Sequence, residues 1–214
     1  MSITGKLLRY LALFWILILS LGTFYLYGSF KTGEGFLLLK QKAIETGLYL
    51  PAFYAHIFGS SLILLVGFAQ FSKRVYGNRP LHRNLGKIYV FGVLIFSAPG
   101  AYVMTFFIHR GAGVFISFLL QNTLWILTTI AAWRYAMKGQ IPQHVCMMRR
   151  SYALAFAAVT LRFYIWLFTV LGNGVNFENN YLIIAFLSWV PNLILVELIN
   201  YYDKGKVPMD PSKV

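Results

Sequence analysis

Six apolar stretches, each of roughly 20 residues, take up most of this chain, and about 20 residues is what an α-helix needs to cross the hydrocarbon of a bilayer. They run from Leu7 to Gly28, Tyr49 to Phe71, Leu85 to Ile108, Val114 to Met137, Ser151 to Gly172 and Tyr181 to Tyr202. In hydrocarbon every backbone N–H and C=O needs an internal partner, which leaves helices or a closed barrel. Long apolar runs without two-residue alternation exclude the barrel. With 12% charged residues and a mean hydropathy of +0.65, the composition is not that of a water-soluble core. The expected fold is all-α: a single integral membrane domain over residues 1–214, built as a bundle of six transmembrane helices.

Charge sets the expected orientation. The stretch after the second span carries Lys73, Arg74, Arg79, Arg83 and Lys87, and the one after the fourth carries Arg134, Lys138, Arg149 and Arg150. Lys6 and Arg9 precede or open the first span, and Lys204, Lys206 and Lys213 follow the last. The alternate connections are poorer: Lys31, Lys40 and Lys42 stand beside Glu34 and Glu45, then come Arg110 and Glu178. The positive-inside rule therefore puts both termini in the cytoplasm. The net charge of +13 reads as these anchors and as contact with anionic lipid on the cytoplasmic face, not as nucleic-acid binding.

The first apolar run is too long for a signal peptide and lacks a clear cleavage site, so it reads as an uncleaved signal anchor. The single cysteine, Cys146, excludes an intramolecular disulfide and a cysteine-cluster cofactor. The segment from Asp203 to Val214 is polar and holds two prolines, the composition of a frayed end. The short His109-Arg110-Gly111-Ala112-Gly113 connection makes the third and fourth helices antiparallel neighbours. A weak internal echo is present: Arg79-Pro80-Leu81-His82 leads into the third span and Ile141-Pro142-Gln143-His144 into the fifth. Proline suits a first helical turn, where its missing N–H costs nothing. The echo fits parallel repeats, with helices two and three matched to helices four and five.

All four histidines lie in or beside the spans. His56 sits about 10 Å below the outer end of the second helix, at about 1.5 Å per residue. Arg162 lies well inside the fifth span, where a charge is costly and marks function by default. Gln121 and Asn122 fall at a similar depth in the fourth. His56, Arg162, Gln121 and Asn122 are expected to line one pocket facing the periplasm, with Arg162 turned into the bundle. The competing reading is a network of interhelical hydrogen bonds with no ligand.

A second group occupies the inner face: His82, Arg83, His144, Arg149 and Arg150, with Gln70, Trp133 and Glu197 near the same level. Histidines on facing helices can hold a haem iron from both sides, because each neutral imidazole offers a lone pair. His82 and His144 are the candidate ligands, and Arg83 and Arg150 the candidate partners of the haem propionates. The same arginines suit a lipid phosphate or a quinone head group equally, and an interfacial histidine taken alone is an ordinary polar anchor.

No Gly-rich nucleotide loop, His-Glu-x-x-His motif or recognisable catalytic triad occurs. Only six residues are acidic, and only Glu197 is near a span, which disfavours a carboxylate proton relay or a calcium site. Pro99-Gly100 and Pro191 are expected to kink the third and sixth helices.

The residues also carry a family pattern. Its parts are His56 with Gly59 and Gly67-Phe68-Ala69-Gln70-Phe71, then His82-Arg83-x-x-Gly86-Lys87-Ile88-Tyr89. Trp125 with Leu127-Thr128-Thr129 follows, then His144, Met148, Arg150-Ser151-Tyr152-Ala153 and Ala158-Val159-Thr160-Leu161-Arg162. Together they resemble the bacterial membrane family called domain of unknown function 2306, over about residues 52–167, with the first and sixth helices outside. Val145 departs from the basic residue common after the last histidine, and His109 is not part of the pattern and is set aside as a ligand. The resemblance implies a multi-pass protein of a bacterial inner membrane and no established activity. The His-Arg at a helix entrance is distantly similar to the ascorbate-reducible di-haem cytochromes of b type.

The leading expectation is a small redox protein that binds b-type haem or a quinone and passes electrons within the membrane. His82 and His144 would be the inner ligands, and His56 and Arg162 would form an outer site. The alternative is a non-enzymatic, transporter-like or accessory subunit of a membrane complex, whose polar clusters bind lipid or a partner protein.

Overall fold

The computed structural model describes residues 3–171 and 177–203. Among these residues six helices are long and apolar enough to span a membrane. They are α1 (Ile3–Tyr27), α2 (Tyr49–Gln70), α3 (Arg79–Phe106), α4 (Ala112–Met137), α5 (Ile141–Val170) and α6 (Asn180–Tyr202). No strand occurs among the described residues. The all-α, six-span expectation holds, while Gly172 and the tail beyond Asp203 lie outside the described residues.

Helices α3 and α5 begin earlier than the apolar windows predict, and their caps explain why. The Asn78 side chain accepts a hydrogen bond from the Leu81 N–H at 3.1 Å, and Pro80 lies in the first turn of α3. Pro142 takes the same place in α5. A helix of 30 residues is about 45 Å long, against about 30 Å of hydrocarbon. The polar first turns of α5 therefore extend past the apolar core.

The chain divides into two compact units, Met1–Phe107 and Ile108–Val214. In the first, α1 and α3 both pack on α2. Half of the most apolar window of α2 is buried, against 17% for α1, so α2 is the central helix and α1 is largely left to lipid. Lipid supplies no hydrophobic drive for helices to pair, so close contact between small residues matters. A side chain on Gly100 would run into the Ala52 carbonyl and come within 3.0 Å of the His56 backbone nitrogen. One on Gly59 would come within 2.7 Å of the Ser97 hydroxyl. Helix α3 widens into a π-helical segment, Gly92–Ser97, just ahead of Pro99. Proline lacks the N–H that the Ile95 carbonyl would receive, and its ring crowds that carbonyl. The irregularity expected at Pro99-Gly100 is thus a π segment preceding the proline. The connection after α1 folds back as a 3-10 turn, Gly35–Lys40, and a short helix, Gln41–Ile44. Leu37 of the turn is buried in one cluster with Tyr49 and Phe53, and Lys40 donates to the Phe107 carbonyl at 2.7 Å, answering the negative end of α3.

In the second unit α4 packs along α5, and α6 packs on both. Thr129 and Ser151, both fully buried, share a hydrogen bond of 2.7 Å between α4 and α5. Helix α6 is interrupted: it comprises most of a regular helix Phe177–Leu187, which starts three residues ahead of the span, and the helix Val190–Tyr202. Pro191 cannot donate to the Leu187 carbonyl, so the expected kink is a break at Ser188 and Trp189. Side chains add hydrogen bonds next to the break, where hydrocarbon offers no water to polar groups. The Ser188 carbonyl accepts from the Thr160 hydroxyl and, at 3.0 Å, from Asn192 Nδ2. The Trp189 indole donates to Ser117 Oγ at 3.0 Å.

Candidate functional site

The end of α4 and the start of α5 are joined by a tight reversal. Gly139 takes φ 69°, the left-handed conformation that glycine adopts without strain, and Gln140 N–H donates to the Tyr135 carbonyl at 2.9 Å. Helix α5 then starts at Ile141, and His144 falls one turn in. Its Nδ1 lies 2.9 Å from the Ala132 carbonyl oxygen of α4. A carbonyl only accepts, so Nδ1 carries the proton, and in the neutral ring the lone pair sits on Nε2.

His56 is set in the same way by a different element. Its Nδ1 lies 2.8 Å from the Ser97 carbonyl oxygen at the end of the π segment, with Ser60 Oγ at 3.4 Å. This ring, too, is protonated at Nδ1 and has its lone pair at Nε2. Histidines that ligate metals are held in this manner, with one ring N–H given to a backbone carbonyl or carboxylate. The donor chemistry of His56 and His144 therefore fits an Nε2 ligand. Among the described residues no three His, Cys, Asp or Glu groups converge as an all-protein metal cage.

The sequence echo has a structural counterpart. His82 holds the same place in α3 as His144 in α5, and each backbone N–H bonds the cap residue four back, Asn78 or Gln140. In the first unit Gln70 Nε2 donates to the His82 carbonyl at 3.0 Å, and in the second His144 bonds Ala132. Both pairs are twelve residues apart. The same two positions meet in each unit, but through different atoms.

The remaining predicted residues divide between the units. His56, His82 and Arg83 belong to the first, and Gln121, Asn122, His144, Arg150 and Arg162 to the second. Gln121 Nε2 reaches the Leu154 carbonyl at 3.4 Å, an interhelical bond of the kind the ligand-free reading describes. Asn122 is buried. Arg162 corrects the expectation that it turns into the bundle. It is exposed, and its guanidinium donates to the Ala158 carbonyl of its own helix at 3.0 Å. A long side chain can satisfy itself this way at the helix surface and extend its charged end toward the interface.

Arg150 has a partner within the protein. Its Nε and Nη2 make a two-pronged ion pair with Glu197 of α6 at 2.5 and 2.7 Å, and Nη1 lies 3.4 Å from Met147 sulfur. A propionate would have to compete with Glu197 for this guanidinium. Arg149 likewise pairs with Asp203 at 2.8 Å and with Asn200 at 3.2 Å. Arg83 is exposed and lines a cleft of about 500 Å³ with Arg79, Asn84 and Lys87.

Sequence reasoning missed Ser97 and Ala132, since every residue has a carbonyl and no pattern marks the one that a histidine will meet. It also missed Ser117 and Asn192 around the α6 break, and the bond that Thr160 makes there, where Pro191 was the available signal.

A family model described as "Predicted membrane protein (DUF2306)" matches residues 53–200. The match extends beyond the expected core and includes α6, consistent with the packing of that helix on α4 and α5. No curated protein and no solved structure matches the chain.

Proposed function

Because the chain belongs to the domain of unknown function 2306 family of predicted membrane proteins, a grouping that carries no activity with it, we propose a function from its own residues: an intramembrane electron carrier that holds b-type haem. The observation that supports it is the shared state of two span histidines. His56 and His144 each give Nδ1–H to a backbone carbonyl of a neighbouring helix, which leaves Nε2 as the lone-pair atom. His82 is the further ligand candidate, on its matched position in α3.

Bound haem would supply a one-electron couple. The chain's part is to fix each imidazole's tautomer and tilt. Arg83, exposed beside Arg79 and Lys87, is the cation open to a propionate; Arg150 is engaged by Glu197. The reading includes the location and topology: a bacterial inner membrane, both termini cytoplasmic, and the first turns of α3 and α5 on the cytoplasmic face.

The test is an absorption spectrum of the full chain purified from cells with ample haem. A Soret band that shifts on dithionite reduction is expected; a colourless protein would reject the reading. A second reading, an accessory protein bound to anionic lipid, is favoured by the Arg79, Arg83 and Lys87 cleft. It would stand if the protein were colourless yet retained anionic phospholipid through purification.

A further inference from the structure

The second unit contains a cavity of about 960 Å³ between the start of α5 and the last turns of α6. Its size falls within the range of about 300–1,000 Å³ typical of small-molecule sites. Trp189, Val190, Leu193, Ile194 and Leu198 give it an apolar wall along α6. At its polar end lie two cross-helix ion pairs, Arg149 with Asp203 and Arg150 with Glu197. Each guanidinium there is matched by one carboxylate. An anionic head group would have to compete with a carboxylate already bonded to each guanidinium, so these pairs disfavour anions. Neutral hydrogen-bonding residues remain: Tyr135 and Gln143 line the cavity, and their side chains make no hydrogen bond among the described residues.

We propose that this cavity binds the head of a neutral isoprenoid quinone. The apolar wall takes the first isoprene units, and Tyr135 and Gln143 donate to the ring carbonyls. A quinone fits the combination because its head is uncharged, accepts hydrogen bonds and ends in a long apolar tail. A phospholipid phosphate would need the arginines that Glu197 and Asp203 already hold. The proposal rests on the electron-carrier reading in one respect, that a quinone is a natural exchange partner for a membrane electron carrier. The binding itself does not require haem.

Cys146 makes the test direct, since it is the only thiol in the chain and lines the cavity. The full chain in phosphatidylcholine nanodiscs is treated with N-ethylmaleimide, and modification of Cys146 is followed by mass spectrometry. Decylubiquinone should slow the reaction at least fivefold and saturably, whereas decanol and phosphatidylglycerol should not. Tyr135→Phe should weaken that protection severalfold without altering the unprotected rate. Leu193→Trp, which fills the wall, should abolish it, and Tyr135→Phe decides the matter if that variant does not fold. Equal protection by decanol or phosphatidylglycerol would mark a non-selective lipid groove and overturn the proposal, as would no protection at all. A missing Soret band with quinone protection intact would reject only the electron-carrier reading. A Soret band without protection would reject only the quinone site.

Discussion

The imidazole Nδ1 of His144 and the carbonyl oxygen of Ala132 are 2.9 Å apart, and that bond decides which nitrogen of the ring can bind anything else. The partner cannot donate, so the proton is fixed at Nδ1 and the lone pair at Nε2. His56 reaches the same state against Ser97.

If Nε2 of His144 is a haem ligand, His144→Ala should lower haem per protein at least tenfold, about the effect of losing a metal's ligand or orienting partner. His56→Ala should do so for any haem held by the first unit. Haem content by the pyridine haemochrome method checks both, and unchanged content in both variants would remove these histidines from the site.

Gly100 is a point of close helix approach in the first unit. Gly100→Val would force α2 and α3 apart at Ala52 and His56, at a cost of about 1–3 kcal/mol, as overpacking does. Thermal unfolding in detergent should show a clear fall. Gly59→Ala should cost less, because its nearest neighbour is a Ser97 hydroxyl that can rotate.

The ion pair of Arg150 and Glu197 joins α5 to α6 and is partly exposed. A double-mutant cycle with Arg150→Gln and Glu197→Gln should give a coupling of about 0.5–1 kcal/mol, the upper part of the range for exposed pairs with good geometry. A coupling indistinguishable from zero would mean that the pair does not join the helices energetically.

Arg162 is exposed at the surface of the second unit, where it bonds its own helix and lies near Tyr181. Arg162→Leu should therefore leave unfolding free energy within about 0.5 kcal/mol of wild type, as surface changes do. A loss of several times that size would show a guanidinium that holds the bundle together.

The proposed topology puts Gly77 in the cytoplasm and Gly174, which lies outside the described residues, on the other side. In a Cys146→Ser background, Gly77→Cys and Gly174→Cys should react with impermeant maleimide from opposite faces. Labelling of both from the periplasm would overturn the orientation.

Much of the architecture was legible because hydrocarbon imposes it. Spans longer than about 20 apolar residues can only be helices there, and α2, α4 and the end of α6 fall close to where the apolar windows place them. The starts of α3 and α5 were legible only through Pro80 and Pro142, because their first turns are polar and hydropathy passes over them. Pro99 and Pro191 marked irregular helices, yet a proline does not specify its remedy. In α3 the helix widens, and in α6 it breaks and borrows Thr160 and Asn192.

The sequence by itself determined the solvent, the helices and the few ionisable groups that had to be explained. It did so because transfer of polar groups into lipid is expensive enough to leave little freedom. Tertiary structure alone decided which way each group is used. Arg162 and Arg150 both read as functional cations in the chain, but one bonds its own helix and the other is neutralised by Glu197, 47 residues away. Rotation about a helix axis and the register between helices settle such pairings, and a local sequence encodes neither. The tautomers of His56 and His144 belong to the same class, since each is fixed by a backbone carbonyl that only helix packing brings within reach.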